Sequence, residues 1–553
     1  MRIAPEDVER LFYPVLDPEI PRADLDARLL ATGIGAVPGA AVGEIVLTAR
    51  SAESLARDGR KVILVRRETS PEDVAGMHAA QGILTGTGGK TSHAAVVARG
   101  WGRTCIVGCE ALAIDTNGKS VRLGQRTLRE GQVVTLDGSS GAVYEEAFPL
   151  VRPELPPDYQ VLMGWADSFR RLRVRANVDT PYDARKAIEM GAEGIGLCRT
   201  EHMFFDSEER RLAIREMILA PNRAAREEAL ARLLPIQRRD FEGIFEAMAG
   251  RPVTIRLIDP PLHEFLPHDD ADQRALAARL HLPLDTVVHR IAQLAEANPM
   301  LGHRGCRLCL TYPEILEMQV RAILEAAAAV QRRGVAVEPE IMHPLVMDSK
   351  EIAILAERTR EVGERVLGEQ GARIRYAIGT MIEVPRAALL AGELAREAEF
   401  FSFGTNDLTQ MTMALSRDDA GHFLPEYVDE HRLGILAQDP FHTLDQEGVG
   451  QLVLWAIARG REARPDLKIG ICGEHGGEAR SVAFCHRAGM DYVSCSPYRI
   501  PIARLAASQA AIADGSAVRG RRSRGAAGRR GSQRRRNGAG GPGRADRHSV
   551  PQA

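Results

Sequence analysis

No apolar stretch in the 553 residues approaches the ~20 that a bilayer-spanning helix needs, and the opening MRIAPEDVER carries no apolar core behind its Arg. Neither a membrane protein nor a secretory leader is expected, and a cytoplasmic location is. Cysteine is sparse. Eight residues (105, 109, 198, 306, 309, 472, 485 and 495) in so long a chain do not make a disulfide scaffold and suit reduced thiols. Cys306 and Cys309 form a CxxC with no second pair, which argues against a zinc site. A nucleotide-binding P-loop is missing too. Gly89-Lys90-Thr91 imitates the end of one, but the glycine required six positions before the lysine is Leu84, and no other stretch supplies the pattern.

What is present is an ordinary globular balance, 44% hydrophobic and 26% charged, in a chain long enough to bury several cores. The formal net charge of -2 conceals a split. The end of the chain from Gly515 holds eleven Arg and no Lys against one acid, Asp546, so about +10 sits there and about -12 on the remainder. An acidic body is a poor nucleic-acid surface. Residues 514–553, almost without large apolar side chains, are expected to be disordered, and Arg without Lys reads as a spacer or a non-native reading frame rather than a nucleic-acid arm.

Four segments follow from the text: a Pro-punctuated linker remnant at 1–31; a Gly-rich β/α domain at 32–150; a long third segment at 151–513; and the tail. In the third, short apolar runs (RVRANVD, GIGLCRTE, VTIRLIDP, VEPEIMHP, YAIGTMIEVP, FFSFGTND, KIGICGEHG) alternate with helical text such as ILEMQVRAILEAAAAVQRR. This rhythm predicts a (β/α)8 barrel with insertions; a doubly wound open sheet fits the same periodicity. Most runs end in a chemically loaded residue: Arg199, Arg256, His343, Glu383, Asn406 with Asp407, Cys472 with Glu474. A barrel would gather those ends on one face.

Two constellations carry chemistry. In Gly88-Gly89-Lys90-Thr91-Ser92-His93 a loop runs into AAVVARG, so His93 is expected at a helix N-terminus, where unpaired N–H groups favour phosphate. An imidazole there can carry a phosphoryl group; the bland reading is a structural His in a Gly-rich loop. On the barrel, Glu383 and Asp407 can share a hard divalent ion, Mg2+, that keeps waters and takes substrate oxygens. Arg199 and Arg256 supply planar forks for a small dianion. Cys472 is inert packing or, facing an enolate, a proton donor to carbon that Glu474 or His475 could tune.

Together these motifs resemble the phosphoenolpyruvate-utilising enzymes, and within them the pyruvate, phosphate dikinases. GGKTSHAAVVARGWGRTCIVGC is similar to their phosphohistidine domain. TEHMFF, IRLIDPPLHEFLP, GHRGCR, GTMIEVPRAA, FGTNDLTQMT, GICGEHGGE and SCSPYRIPIARLA are similar to successive stretches of their barrel, in one order from about Thr32 to Ile512. The resemblance implies that His93 is phosphorylated on Nε2, that Arg199 and Arg256 bind substrate, and that Glu383 and Asp407 hold Mg2+. Gly404, Thr405 and Asn406 would contact phosphoenolpyruvate or pyruvate beside Asp407, Arg417 would aid phosphate binding, and Cys472 would protonate carbon. Thr91 has the position of a regulatory phosphorylation site, and Lys90 stands where the family has an apolar residue, usually Met. The family also implies a homodimer through the barrel and a preceding nucleotide-binding domain of the ATP-grasp type. That domain is not in this sequence, so a separate ATP-grasp chain is a possible partner. The rival readings are a phosphoenolpyruvate:protein phosphotransferase of the enzyme I kind and an inactive truncated paralogue.

Overall fold

The computed structural model describes residues 3–70, 73–89, 92–204, 207–267, 269–417, 419–420 and 423–515. Lys90, Thr91 and the Arg-rich tail, on which expectations fell, lie outside them. Among the described residues no helix is long and apolar enough to cross a membrane.

The first domain is built on a mixed eight-stranded sheet. At its centre four parallel strands, Ala40–Val46, Val62–Arg66, Gly82–Thr85 and Thr104–Val107, lie side by side. Val62 to Val65 and Gly82 to Thr85 are buried without alternation, as expected of strands covered on both faces. One core, from Val37 and Val62 to Val107, underlies the helix α1, His93–Gly100; the other, on the opposite face, includes Ile63, Leu84, Ile106 and Leu136. The opening segment, read as a linker with little core of its own, is pinned down. Tyr13 is buried in the first of these cores, Val8 packs with Tyr159, Met163 and Leu505 of the second domain, and Leu29–Thr32 already forms an edge strand of the sheet.

The second domain is a closed barrel of eight parallel strands in sequence order: β1 Arg173–Asn177, β2 Ile195–Arg199, β3 Pro252–Arg256, β4 Glu338–His343, β5 Ala377–Ile382, β6 Phe400–Gly404, β7 Lys468–Cys472 and β8 Tyr492–Cys495. Closure is made by β8 on β1, with Arg173 opposite Tyr492 and Ala176 opposite Cys495. This decides between the barrel and the open sheet in favour of the barrel. Its outer layer contains long helices such as Pro313–Arg332, buried along almost its whole length against Arg223–Met248 and Ser349–Gln370. Ser349–Gln370 starts at a capping box, in which Asp348 and Glu351 satisfy each other's backbone N–H groups, and stops at Gly371 in the left-handed region. These devices fix where each strand re-enters the barrel, and therefore which residue stands at its carboxyl end.

Candidate functional site

Except for Arg417, the expected barrel residues stand at or just beyond the carboxyl ends of strands. Arg199 closes β2, Arg256 closes β3, Glu383 follows β5, Gly404 closes β6 and Cys472 closes β7, with Gly404 and Cys472 directly opposite in register. Asn406 and Asp407, expected at a strand end, form instead, with Thr405, the first turn of the helix α2, Thr405–Met413. Their backbone N–H groups are among those a helix leaves unpaired, so the turn adds donors to the same face.

A network of buried charges ties these groups together. The Arg256 guanidinium, 8% exposed, binds Glu201 through Nη2 and Asp259 through Nη1 at 2.9 Å. Asp259 accepts a second contact of 2.5 Å from Arg304, and Arg304 reaches Asp407 at 3.2 Å. The Leu345 N–H donates to Glu383 Oε1 at 2.6 Å. Leu345 holds φ at +58°, a conformation costly for a branched side chain and here used to aim that N–H. Space is equally constrained. A Cβ on Gly404 would lie 2.6 Å from Glu383 Oε2, and one on Gly305, at φ +60°, would lie 2.8 Å from Leu345 Cβ.

The titration of the site follows from burial. Desolvation, reinforced by Asp259 and Asp407, pushes the Glu383 carboxyl up to about 8. Burial holds the Cys472 thiol above its ordinary range. It is packed with Leu197, Met342, Met381 and Phe400, and it contacts the Phe403 carbonyl at 3.6 Å. A protonated thiol in an apolar setting is a proton donor rather than a nucleophile.

Glu474 and His475 do not tune that thiol. The Glu474 carboxylate is turned to Arg99 of the first domain, and His475 is clamped between Thr405 Oγ1 (2.7 Å) and the Pro440 carbonyl (2.9 Å), so both are spent on other contacts. His343 also leaves the site. Its ring turns to the covering helix, 3.3 Å from Thr359 Oγ1, and burial drives it down to about 3, hence neutral. Cys306 and Cys309 are buried thiols pushed far up by desolvation, and Cys306 donates to the Leu345 carbonyl. Arg417 lies in the loop after α2, where its backbone N–H donates to Gln410, whose amide lies 3.5 Å from Asp407.

Among the described residues no three His, Cys, Asp or Glu side chains converge to hold a metal by themselves. The donor set nevertheless suits a hard ion that keeps other oxygens in its shell: Asp407, Glu383, whose raised carboxyl would give up its proton to a cation, and a buried Asn406 Oδ1 with no partner of its own.

His93 opens α1 on the first domain. Its Nδ1 lies 2.9 Å from Thr69 Oγ1, which sets the ring's orientation. Ser92 occupies the N-cap without a capping bond from its side chain, and its Oγ is buried without a partner. The other end of α1 meets the barrel. Arg99, six residues and about 9 Å of helix rise from His93, pairs with Glu474 at 2.7 Å, two residues beyond Cys472, and donates to the Ala36 carbonyl. Arg99 and Glu474 are largely buried, so Arg99→Met leaves a carboxylate desolvated and unpaired. We expect a loss of ~2–5 kcal/mol in domain docking, read as a separate earlier transition in calorimetric melting; a single unshifted transition would mean that the pair does not hold the domains together.

Arg304, Asp259 and Glu201 were not singled out by the sequence. They lie in loops after β2 and β3, off the strand ends, although TEHMFF, IRLIDP and GHRGCR each contain one of them.

Comparison with known proteins agrees with this geometry. The description "PEP-utilising enzyme, PEP-binding domain" matches residues 157–512, and "PEP-utilising enzyme, mobile domain" matches residues 59–141. The chain is 55% identical over 514 residues to pyruvate, phosphate dikinase 1, chloroplastic, of Arabidopsis thaliana, covering 92% of this chain and 52% of the relative. It is 56% identical over 512 residues to pyruvate, phosphate dikinase 2 of Zea mays (92% and 57%), and 52% identical over 513 residues to the pyruvate, phosphate dikinase of Clostridium symbiosum (93% and 58%). The chain thus spans little more than half the length of these relatives. With both of its domains matched and its barrel face furnished as described, the chain belongs to the PEP-utilising enzyme family.

Proposed function

We propose that this chain carries the phosphoenolpyruvate half of a pyruvate, phosphate dikinase: reversible phosphoryl transfer between phosphoenolpyruvate and His93, leaving pyruvate. The observation that supports it most is the gathering of Arg199, Arg256, Glu383, Asp407 and Cys472 from separate strands onto one face, with the His93 helix docked on the loop that follows Cys472.

The residues divide the work by their chemistry. Arg256, locked by Glu201 and Asp259, and Arg199, whose backbone N–H is fixed by Asp179 at 2.6 Å, present forks to phosphate and carboxylate. Glu383 and Asp407 would hold Mg2+, which supplies positive charge for the enolate oxygen and the phosphoryl group. Gly404 leaves the room that Glu383 needs, while Thr405 and Asn406 offer the first-turn N–H groups of α2 to the ligand. Arg417 adds positive charge at the rim. The His93 Nε2 lone pair bonds to phosphorus as the phosphorus–oxygen bond of phosphoenolpyruvate breaks, leaving enolpyruvate. The Cys472 thiol then gives its proton to the terminal carbon, and solvent restores the thiol. In reverse, the enolate oxygen attacks phosphohistidine. The ATP and phosphate half-reaction is assigned to sequence outside these 553 residues, in the same or a separate polypeptide, and assembly through the barrel as a dimer belongs to the same reading.

Because the half-reaction is self-contained, labelled pyruvate mixed with unlabelled phosphoenolpyruvate and Mg2+, with no nucleotide added, should pass its label into phosphoenolpyruvate as His93 relays the phosphoryl group. Label confined to pyruvate, with enzyme that still binds it, would leave only a binding protein.

A further inference from the structure

The opposite mouth of the barrel is furnished as well. At the amino ends of β1, β7 and β8 a cavity of about 630 Å³ is lined by Arg171, Arg173, Arg175, Arg461 and Lys468, with Asp466 and Asp491. Its size is that of a small-ligand pocket. Part of this charge is structural. Arg175, 2% exposed, bonds Glu340 at 2.8 Å and lies over the Tyr492 ring at 4.1 Å, and Lys468 shares the same Glu340. Arg461 pairs with Asp491 at 3.1 Å. The balance is not closed by these contacts. Glu340 serves two cations with Glu338 nearby, Asp466 and Asp491 are the acids of the lining against five cations, no carboxylate lies within ion-pair distance of Arg171 or Arg173 among the described residues, and Arg175 Nε is buried without a partner. Arg171 is exposed, and one Nη on the His486 carbonyl at 2.5 Å anchors one arm of its fork.

A plug that only stabilised the barrel would be served by Arg175, Glu340 and Lys468. The surplus guanidinium groups around an open, polar cavity are what a dianion requires, since each can offer two parallel N–H groups to phosphate oxygens. We propose that this cavity binds a small phosphate-bearing anion, at an effector site on the face away from Arg199 and Cys472.

Inorganic pyrophosphate and glycerol 3-phosphate, titrated separately into the full chain and followed by calorimetry, distinguish a free polyphosphate from a phosphorylated metabolite as the source. Saturable binding of either is expected. Arg171→Ser with Arg173→Ser should weaken it about tenfold or more, with little change in melting because both side chains are exposed and only the Arg171–His486 contact is lost, while Arg199→Ser leaves it intact. Equal affinity in the double variant, loss of binding in Arg199→Ser, or no saturation at millimolar anion would each overturn the site.

Discussion

Replacing Cys472 by alanine should lower the exchange of pyruvate C3 protons with solvent by about 10²–10⁴, the range that positioned proton transfer contributes. Phosphate transfer from phosphoenolpyruvate to His93 should fall much less, because the bond to phosphorus breaks before carbon is protonated. The argument rests on the apolar packing of the thiol between Leu197, Met342, Met381 and Phe400 and on the burial that holds it protonated above its ordinary range. For the same reason exchange in the unmodified protein should not decline as pH rises through the range where an exposed thiol ionises. Equal losses of exchange and transfer in Cys472→Ala would assign Cys472 a packing role only.

Arg256→Lys should be nearly as damaging while keeping the charge. The guanidinium spans Glu201 and Asp259 and, through Asp259, fixes Arg304 against Asp407. An ammonium is a point charge and cannot serve both carboxylates and a phosphate in a fixed fork. We expect transfer to His93 to fall by about 10²–10³, in keeping with the loss of one preorganised transition-state donor. We also expect the melting point to drop, because one of two deeply buried acids loses its partner. The two effects separate by comparing the rate at saturating substrate with KM. A rise in KM alone would make Arg256 a docking group, and full activity would remove it from the site.

Much of this was legible from the sequence. The strands of the barrel announce themselves because both faces are covered, so VTIRLIDP and FFSFGTND read as continuous apolar runs closed by a polar residue. Seven of the eight strands were found in this way. The eighth, YVSC, is four residues long and too short to show a periodic run, so only the family string SCSPYRIPIARLA, which overlaps its last two residues, pointed to that stretch. Closure itself was not legible, since an open doubly wound sheet has the same periodicity and only the pairing of Arg173 with Tyr492 distinguishes them. Residues that act through others were the least visible. Arg304 and Asp259 lie on loops whose spacing obeys no period, and they matter only once the fold lays them against Arg256 and Asp407. Strand-end position was also an imperfect guide to role. His343 closes β4 as Arg256 closes β3, yet its side chain turns to the covering helix, and Glu474 reaches across to another domain, a contact that no local pattern encodes.

The central claim is that phosphate passes between a ligand on the barrel face and the imidazole of His93. Incubation of this chain with phosphate-labelled phosphoenolpyruvate and Mg2+, followed by peptide mapping, tests it most directly. The account predicts one acid-labile phosphate per chain, on the peptide containing His93, absent from His93→Asn and discharged by added pyruvate. An unlabelled wild-type chain, or label that persists in His93→Asn, would contradict it.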